Sequence, residues 1–237
     1  MNGGRSTTDE AGRGAAERLI FFSDAVVAIA LTLLAIELPV PEGSTPQALA
    51  EAVGRGGQQY LAFLISFLVI FLYWNGHHRQ FRYLTDATPA LVRWNGLWLF
   101  AIVLTPFATR VLTGGQGEDH GAFPWRFGVY AVLQVIAGLA SLMSARTMQT
   151  QHLVAEGAPT ELFHNSYVRI GSLVVVFALS IPLAFVLGEY TYIGWSLAPV
   201  VMRLWFFVAA RRRPAPKSPT PKSPAPSSPA PSSRASA

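Results

Sequence analysis

Six stretches of about 20 consecutive, mostly apolar residues occupy most of this 237-residue chain. They lie at 18–38, 59–77, 91–112, 125–145, 168–187 and 190–209. A stretch of that length is long enough to cross the hydrocarbon core of a bilayer as a helix. Only 13% of the residues are charged, about half the share of an ordinary soluble domain. We therefore predict an all-α integral membrane protein with six transmembrane helices, and not a soluble enzyme.

Arginine is concentrated in alternate loops. Arg79 and Arg82 follow the second stretch and Arg146 follows the fourth, whereas the opposite loops carry mainly glutamate and aspartate. Because basic residues of short loops stay on the cytoplasmic side, we predict that both termini are cytoplasmic. The net charge of +5 then reflects membrane topology, and we expect no nucleic-acid partner. The chain has no cysteine, which excludes thiol catalysis and cysteine-bound zinc.

Three regions differ in composition. Residues 1–17 form a polar arm, and residues 18–210 form the membrane domain. Residues 211–237 begin with three arginines and continue as a tail rich in proline, serine and alanine. Such a tail cannot bury an apolar core, so we predict that it is disordered and cytoplasmic.

An aspartate, Asp24, lies inside the first apolar stretch. An ionisable side chain is costly in a bilayer, and it needs polar partners there. The second and third stretches offer indole, imidazole, amide and guanidinium donors at a similar depth. We predict a polar cluster in the cytoplasmic half of the membrane domain, made of Arg18, Ser23, Asp24, Trp74, His77, Arg93 and Asn95. An ion pair or helix cap that serves packing alone is the alternative.

A metal site made of Asp24 with the adjacent His77 and His78 is disfavoured. Neighbouring residues on a helix point about 100° apart, unlike the i, i+4 histidine pair of helical zinc sites. We therefore expect no resident metal and no cofactor.

The first stretch has two different faces if it is helical. At about 100° per residue, Ser23 and Asp24 share one face. Branched apolar residues lie on a nearly opposite face, at Ile29, Leu33 and Ile36. The polar face indicates a protein environment, whereas the apolar face is compatible with lipid, another helix or a symmetry axis. Periodicity alone does not separate these three environments.

Short motifs in the first three stretches resemble one known family. They are R-x-x-x-F-S-D at 18–24, W-x-x-H at 74–77, W-N at 94–95 and P-F at 106–107. Together they are similar to the signature of the transmembrane protein 175 family, the potassium channels of endosomes and lysosomes and their prokaryotic relatives. The resemblance covers residues 17–110. One F-S-D motif and six stretches make the chain similar to the prokaryotic type.

The resemblance implies a homotetramer in the prokaryotic cell membrane, with a central pore that passes potassium ions and is lined by the first helix. It implies that Ile29, Leu33 and Ile36 form the pore constriction, with Thr32 on its flank. It also implies a structural network that holds the pore helix, made of Arg18, Phe22, Ser23, Asp24, Trp74, His77, Arg93 and Asn95. The family lacks the T-V-G-Y-G carbonyl filter, and no such pentapeptide occurs here.

The leading hypothesis is thus a passive, potassium-permeable cation channel without enzyme activity. Glu37, at the outer end of the first helix, either raises the local cation concentration at the pore mouth or is a solvated interfacial carboxylate. A proton-coupled secondary transporter would instead use Asp24 and His77 as a proton relay, although the stretches show no inverted repeat. A non-conducting membrane scaffold would dock partners through the proline-rich tail.

Overall fold

The computed structural model describes residues 3–114 and 120–188, and six helices contain most of them. These helices are α1 (Gly3–Ile36), α2 (Pro46–Arg55), α3 (Gly57–Phe81), α4 (Pro89–Thr113), α5 (Phe123–Thr150) and α6 (Thr160–Leu187). A 3-10 turn covers His120–Ala122. In the described ranges, strand pairing is limited to an isolated bridge between Leu84 and Val154. The predicted all-α class is confirmed.

Five of these helices are long and apolar enough to cross a membrane, namely α1, α3, α4, α5 and α6. They correspond to the first five predicted stretches. The sixth predicted stretch, 190–209, and the tail, 211–237, lie outside the described residues. The chain is therefore a multi-pass membrane protein, in which the short α2 follows the first span.

Threonine and proline set the starts of α2 and α4. The hydroxyl groups of Thr45 and Thr88 accept backbone N–H groups three residues later, at 3.2 and 3.4 Å. Pro46 and Pro89 follow at the first helical positions, where a missing N–H costs no hydrogen bond. These starts therefore follow from local sequence.

Helix α5 is central, because it packs mainly against α4 and α6. At Gly138 the α5–α6 contact is so close that a Cβ atom would overlap the side chain of Val174. Helix α1 packs mainly on α3 and α4, and it is the least buried of the five spans. The first span is therefore attached to the outside of the bundle through a limited set of contacts.

The bundle has two ends, which we call basal and distal. Helices α3 and α5 end, and α4 and α6 begin, at the basal end; α1 and α4 end at the distal end. An apolar cluster closes the basal end and consists of Ala16, Phe81, Leu84, Leu91, Ala145, Met148, Leu153 and Phe163. Helix α1 continues without a break across the predicted boundary between residues 17 and 18, and its Ala16 packs into this cluster.

Candidate functional site

Asp24 on α1 faces α3. Its Oδ1 atom accepts a hydrogen bond from the indole Nε1 of Trp74 at 2.8 Å. Its Oδ2 atom lies 3.6 Å from Nδ1 of His78, and 30% of the Asp24 side chain is exposed. The carboxylate thus joins the first span to α3 near the basal end, and it meets His78 where the sequence had suggested His77.

Ser23, the neighbour of Asp24, connects α1 to α4 directly and to α3 through Asn95. Its hydroxyl donates to the carbonyl of Leu19 at 2.7 Å and accepts from Nδ2 of Asn95 at 2.9 Å. The Asn95 Oδ1 atom lies 2.8 Å from Nε2 of His77. Because an amide oxygen only accepts, His77 carries a proton on Nε2 in this arrangement. Ser23, Asn95 and His77 are all buried, so no bulk water competes for these hydrogen bonds.

The imidazole ring of His77 is fixed by two aromatic rings. It stacks on Phe81 at 3.7 Å and on Trp98 at 4.3 Å between ring centroids. Its Nδ1 atom has no hydrogen-bond partner among the described residues. A proton relay needs a connection at both ring nitrogens, and the structure does not join His77 to Asp24 directly. The arrangement favours a role for His77 in holding helices together.

Three residues of the predicted network lie outside these contacts. Arg18 is exposed, and its Nε atom donates to the carbonyl of Gly14 at 3.2 Å. Arg93 is exposed and pairs with no carboxylate in the described part of the chain. Phe22 is also exposed. The polar contacts therefore form without the two guanidinium groups that the sequence had placed among them.

The apolar face of α1 is uncovered in this single chain. Ile29 is 57% exposed, Leu33 44% and Ile36 76%. Thr32 is also exposed, and its hydroxyl donates to the carbonyl of Ile29 at 2.8 Å. The opposite side of α1 carries the buried residues Ala16, Ser23, Val27, Ala30 and Leu34. The uncovered face is available to lipid or to another subunit.

Glu37 follows α1 and is paired with an arginine. Its Oε2 atom lies 3.0 Å from Nη1 of Arg110 on α4, and its Oε1 atom accepts from the same nitrogen at 3.3 Å. The pair ties the distal end of the first span to α4. It also partly neutralises the negative charge of Glu37.

A second set of buried polar contacts was missed by sequence reasoning. The Ser66 hydroxyl on α3 lies 2.8 Å from the Thr109 hydroxyl on α4 and donates to the Tyr130 hydroxyl on α5 at 3.1 Å. All three residues are buried. These contacts join three spans within the apolar interior of the bundle.

Two more hydrogen bonds continue this set. The Tyr73 hydroxyl donates to the backbone carbonyl of Gln134 at 2.9 Å, and Nε2 of Gln134 donates to the Thr105 hydroxyl at 3.3 Å. The available signal was Gln134 itself, an amide in the middle of an apolar stretch, which requires polar partners in a bilayer.

Three comparisons relate the chain to known proteins. The sequence profile of the family described as endosomal/lysosomal potassium channel TMEM175 matches residues 18–106. A potassium channel of Streptomyces collinus is 30% identical over 196 residues, which cover 78% of this chain and 95% of that protein. A potassium channel of Chamaesiphon minutus is 40% identical over 101 residues, which cover 40% of this chain and 48% of that protein.

The structural comparison agrees with the sequence comparisons. A crystal structure described as a lysosomal potassium-selective channel TMEM175 homolog from Chamaesiphon minutus has a TM-score of 0.60 and 26% identity to this chain. The match covers 83% of this chain and 97% of that one. The residues matched by the family profile include Asp24, Trp74, His77 and Asn95.

Proposed function

The chain belongs to the TMEM175 potassium channel family, and from this premise we propose that it is a passive, potassium-permeable channel. The observation that carries the proposal is the 30% identity to the potassium channel of Streptomyces collinus across 95% of that protein. A passive pathway needs binding sites and a wall but no catalytic group, and we assign neither an enzyme activity nor a cofactor.

We propose that the channel is a homotetramer in which α1 of each copy lines a central pore. The support is the burial pattern of α1. It is the least buried of the five spans, and its uncovered face is apolar over about two helical turns from Ile29 to Ile36. A symmetry axis beside this face would cover it with the same face of the other copies, as closed cyclic assemblies require.

Ile29, Leu33 and Ile36 then form the pore constriction. At a rise of about 1.5 Å per residue, successive rings lie about 6 and about 4.5 Å apart along α1. Apolar rings gate by dewetting, and an ion passes at a cost that depends on how readily it sheds water. Thr32 on the flank uses its proton on the Ile29 carbonyl, so its oxygen lone pairs remain as acceptors toward a cation.

The contacts of Asp24 and Ser23 position this pore helix. The Asp24 carboxylate is engaged by Trp74 and His78, and it lies about 140° around α1 from Ile29. An acid in that place holds α1 against α3 and does not coordinate the permeating ion. Glu37 contributes to the outer mouth with a charge reduced by Arg110.

We further propose that the protein resides in a prokaryotic cell membrane with its basal end toward the cytoplasm. The named relatives from Streptomyces and Chamaesiphon support the bacterial setting. The arginines of the predicted cytoplasmic loops, Arg79, Arg82 and Arg146, lie at the basal end of α3 and α5. This orientation obeys the positive-inside rule and puts the N terminus in the cytoplasm.

The test is the reversal potential of the purified full-length protein in planar bilayers, with potassium and sodium gradients and equal pH on both sides. We expect a potassium preference for the wild type. Ile29→Asn should raise the unitary conductance and weaken the potassium preference, because an amide keeps the constriction wetted.

A matched control is Leu179→Asn on α6, since Leu179 is a similarly exposed apolar residue of another span. It should leave conductance and selectivity unchanged. Unaltered currents in both Ile29→Asn and Leu33→Asn would refute the pore assignment. A wild type that carries no potassium current would refute the channel itself.

A further inference from the structure

Two arginines lie on touching helices at the basal end of the bundle. Arg79 lies near the end of α3, and Arg169 lies on α6. The two helices touch at Gly76, about one turn before Arg79, because a Cβ atom there would lie 3.7 Å from Cδ1 of Ile170, the neighbour of Arg169. Like charges on touching helices raise the free energy unless an anion compensates them.

A third guanidinium lies nearby. Arg146 on α5 lies about one turn before Gln149, whose Oε1 atom accepts a hydrogen bond from the hydroxyl of Tyr167 on α6 at 2.9 Å. Three helices thus contribute a positive charge to one corner of the bundle.

The ion pairs Arg55–Glu51, His78–Asp24 and Arg110–Glu37 involve none of Arg79, Arg146 and Arg169. Arg169 is also partly buried, which removes part of the water that would otherwise solvate its charge. The corner has the features of an anion site.

We propose that Arg79 and Arg169, flanked by Arg146, bind the phosphate group of an anionic phospholipid. The planar guanidinium group donates two parallel hydrogen bonds to phosphate oxygens, and two such groups on touching helices can share one phosphate. Basic pockets between transmembrane helices on the cytoplasmic side are the usual place for anionic headgroups.

The depth of the site selects a lipid over a soluble phosphate. Val168, next to Arg169, is an exposed apolar residue, and a lipid acyl chain can cover it. Tyr167 presents an apolar ring and a polar hydroxyl, the character typical of membrane interfaces. A soluble phosphate offers the same oxygens, but it gains nothing from the apolar surface beside them.

Occupancy of the site would join α6 to α3. Helix α3 also carries Trp74, which holds Asp24 of the pore helix. A bound headgroup would therefore reinforce the helix on which α1 rests.

The test is native mass spectrometry of the full-length protein, titrated with phosphatidylglycerol or with phosphatidylcholine of the same acyl chains. The wild type should bind phosphatidylglycerol more tightly. Each arginine removed should weaken that affinity roughly fivefold, so the double variant Arg79→Gln/Arg169→Gln should lose most of the preference. Arg55→Gln, an exposed arginine beyond the distal end, is the control and should bind like the wild type.

Two results would overturn the proposal. Equal wild-type affinities for the two lipids would refute it without recourse to any variant, so a poorly folded variant does not obstruct the test. Displacement of the lipid by an equal concentration of inorganic phosphate would identify a soluble anion as the ligand. Lipid affinity is measured without current, so this outcome and the outcome of the conduction experiment are independent.

Discussion

Asn95 is the side chain through which α4 holds both α1 and α3. Its amide nitrogen donates to Ser23, and its oxygen lies 2.8 Å from Nε2 of His77. Asn95→Leu keeps a side chain of similar size and removes both hydrogen bonds. The Nε2–H group of His77 then loses its acceptor. The Nδ1 atom of the same ring already has no hydrogen-bond partner among the described residues.

The expected cost follows from burial and from the number of bonds lost. The relative exposure is 0% for Ser23, 1% for Asn95 and 3% for His77, so water cannot replace either bond. Interhelical hydrogen bonds in membrane proteins contribute about 0.6 to 1.7 kcal/mol each. An orphaned buried donor adds about 1 kcal/mol or more. We therefore expect Asn95→Leu to lower the free energy of unfolding by about 2 to 4 kcal/mol.

The assay is reversible unfolding of the full-length protein by sodium dodecyl sulfate in mixed micelles, followed by circular dichroism. Asn75→Leu is the matched control, because Asn75 on α3 is partly buried and makes no side-chain hydrogen bond within the described ranges. It should cost less than about 0.5 kcal/mol. Potassium flux should fall in Asn95→Leu vesicles, since α1 loses its attachment to α4.

A double-mutant cycle sharpens the test. Ser23→Ala and Asn95→Leu remove the same hydrogen bond, so their combined cost should be smaller than the sum of the single costs by about 0.6 to 1.7 kcal/mol. Strictly additive costs would refute the coupling between α1 and α4. Equal stabilities of Asn95→Leu and Asn75→Leu would refute the energetic argument as a whole.

Two further predictions concern other contacts. Arg110→Gln should raise the potassium current at low ionic strength, because it unmasks the charge of Glu37; the gain should vanish near 1 M salt, where the Debye length is about 3 Å. If the wild type and Arg110→Gln carry equal potassium currents at low salt, Glu37 lies away from the ion path. Gly138→Ala should destabilise the fold by about 1 to 3 kcal/mol in the same unfolding assay, because its methyl group overlaps Val174. Gly128→Ala on the same helix, with open space at its Cβ position, should be neutral or stabilising.

The elements of the fold were largely predictable from the sequence. A chain in lipid must satisfy its backbone hydrogen bonds within each segment, so an apolar stretch of sufficient length has almost no alternative to a helix. The predicted stretches 91–112 and 125–145 lie within α4 and α5 for this reason. The start of α2 also depends only on neighbouring residues. The Thr45 hydroxyl caps the helix, and Pro46 stands at its first position.

The polar contacts were predictable only in part. Asp24 and Ser23 needed partners in the bilayer, and few polar side chains were at the right depth, so Trp74 and Asn95 could be identified. Arg18 was included with them and lies outside the contacts. Its long side chain can extend toward water or headgroups, a freedom that hydropathy does not describe.

Composition and hydropathy by themselves determined the membrane class, the helical spans and the two-faced first helix, because each depends on residues near one another in sequence. The tertiary structure alone decided that Asp24 meets His78, that Glu37 pairs with Arg110, and that α3 touches α6 at Gly76 and Ile170. Such pairings depend on the rotation of each helix about its axis. That rotation is set by the packing of whole helix surfaces, which no single stretch of the chain contains.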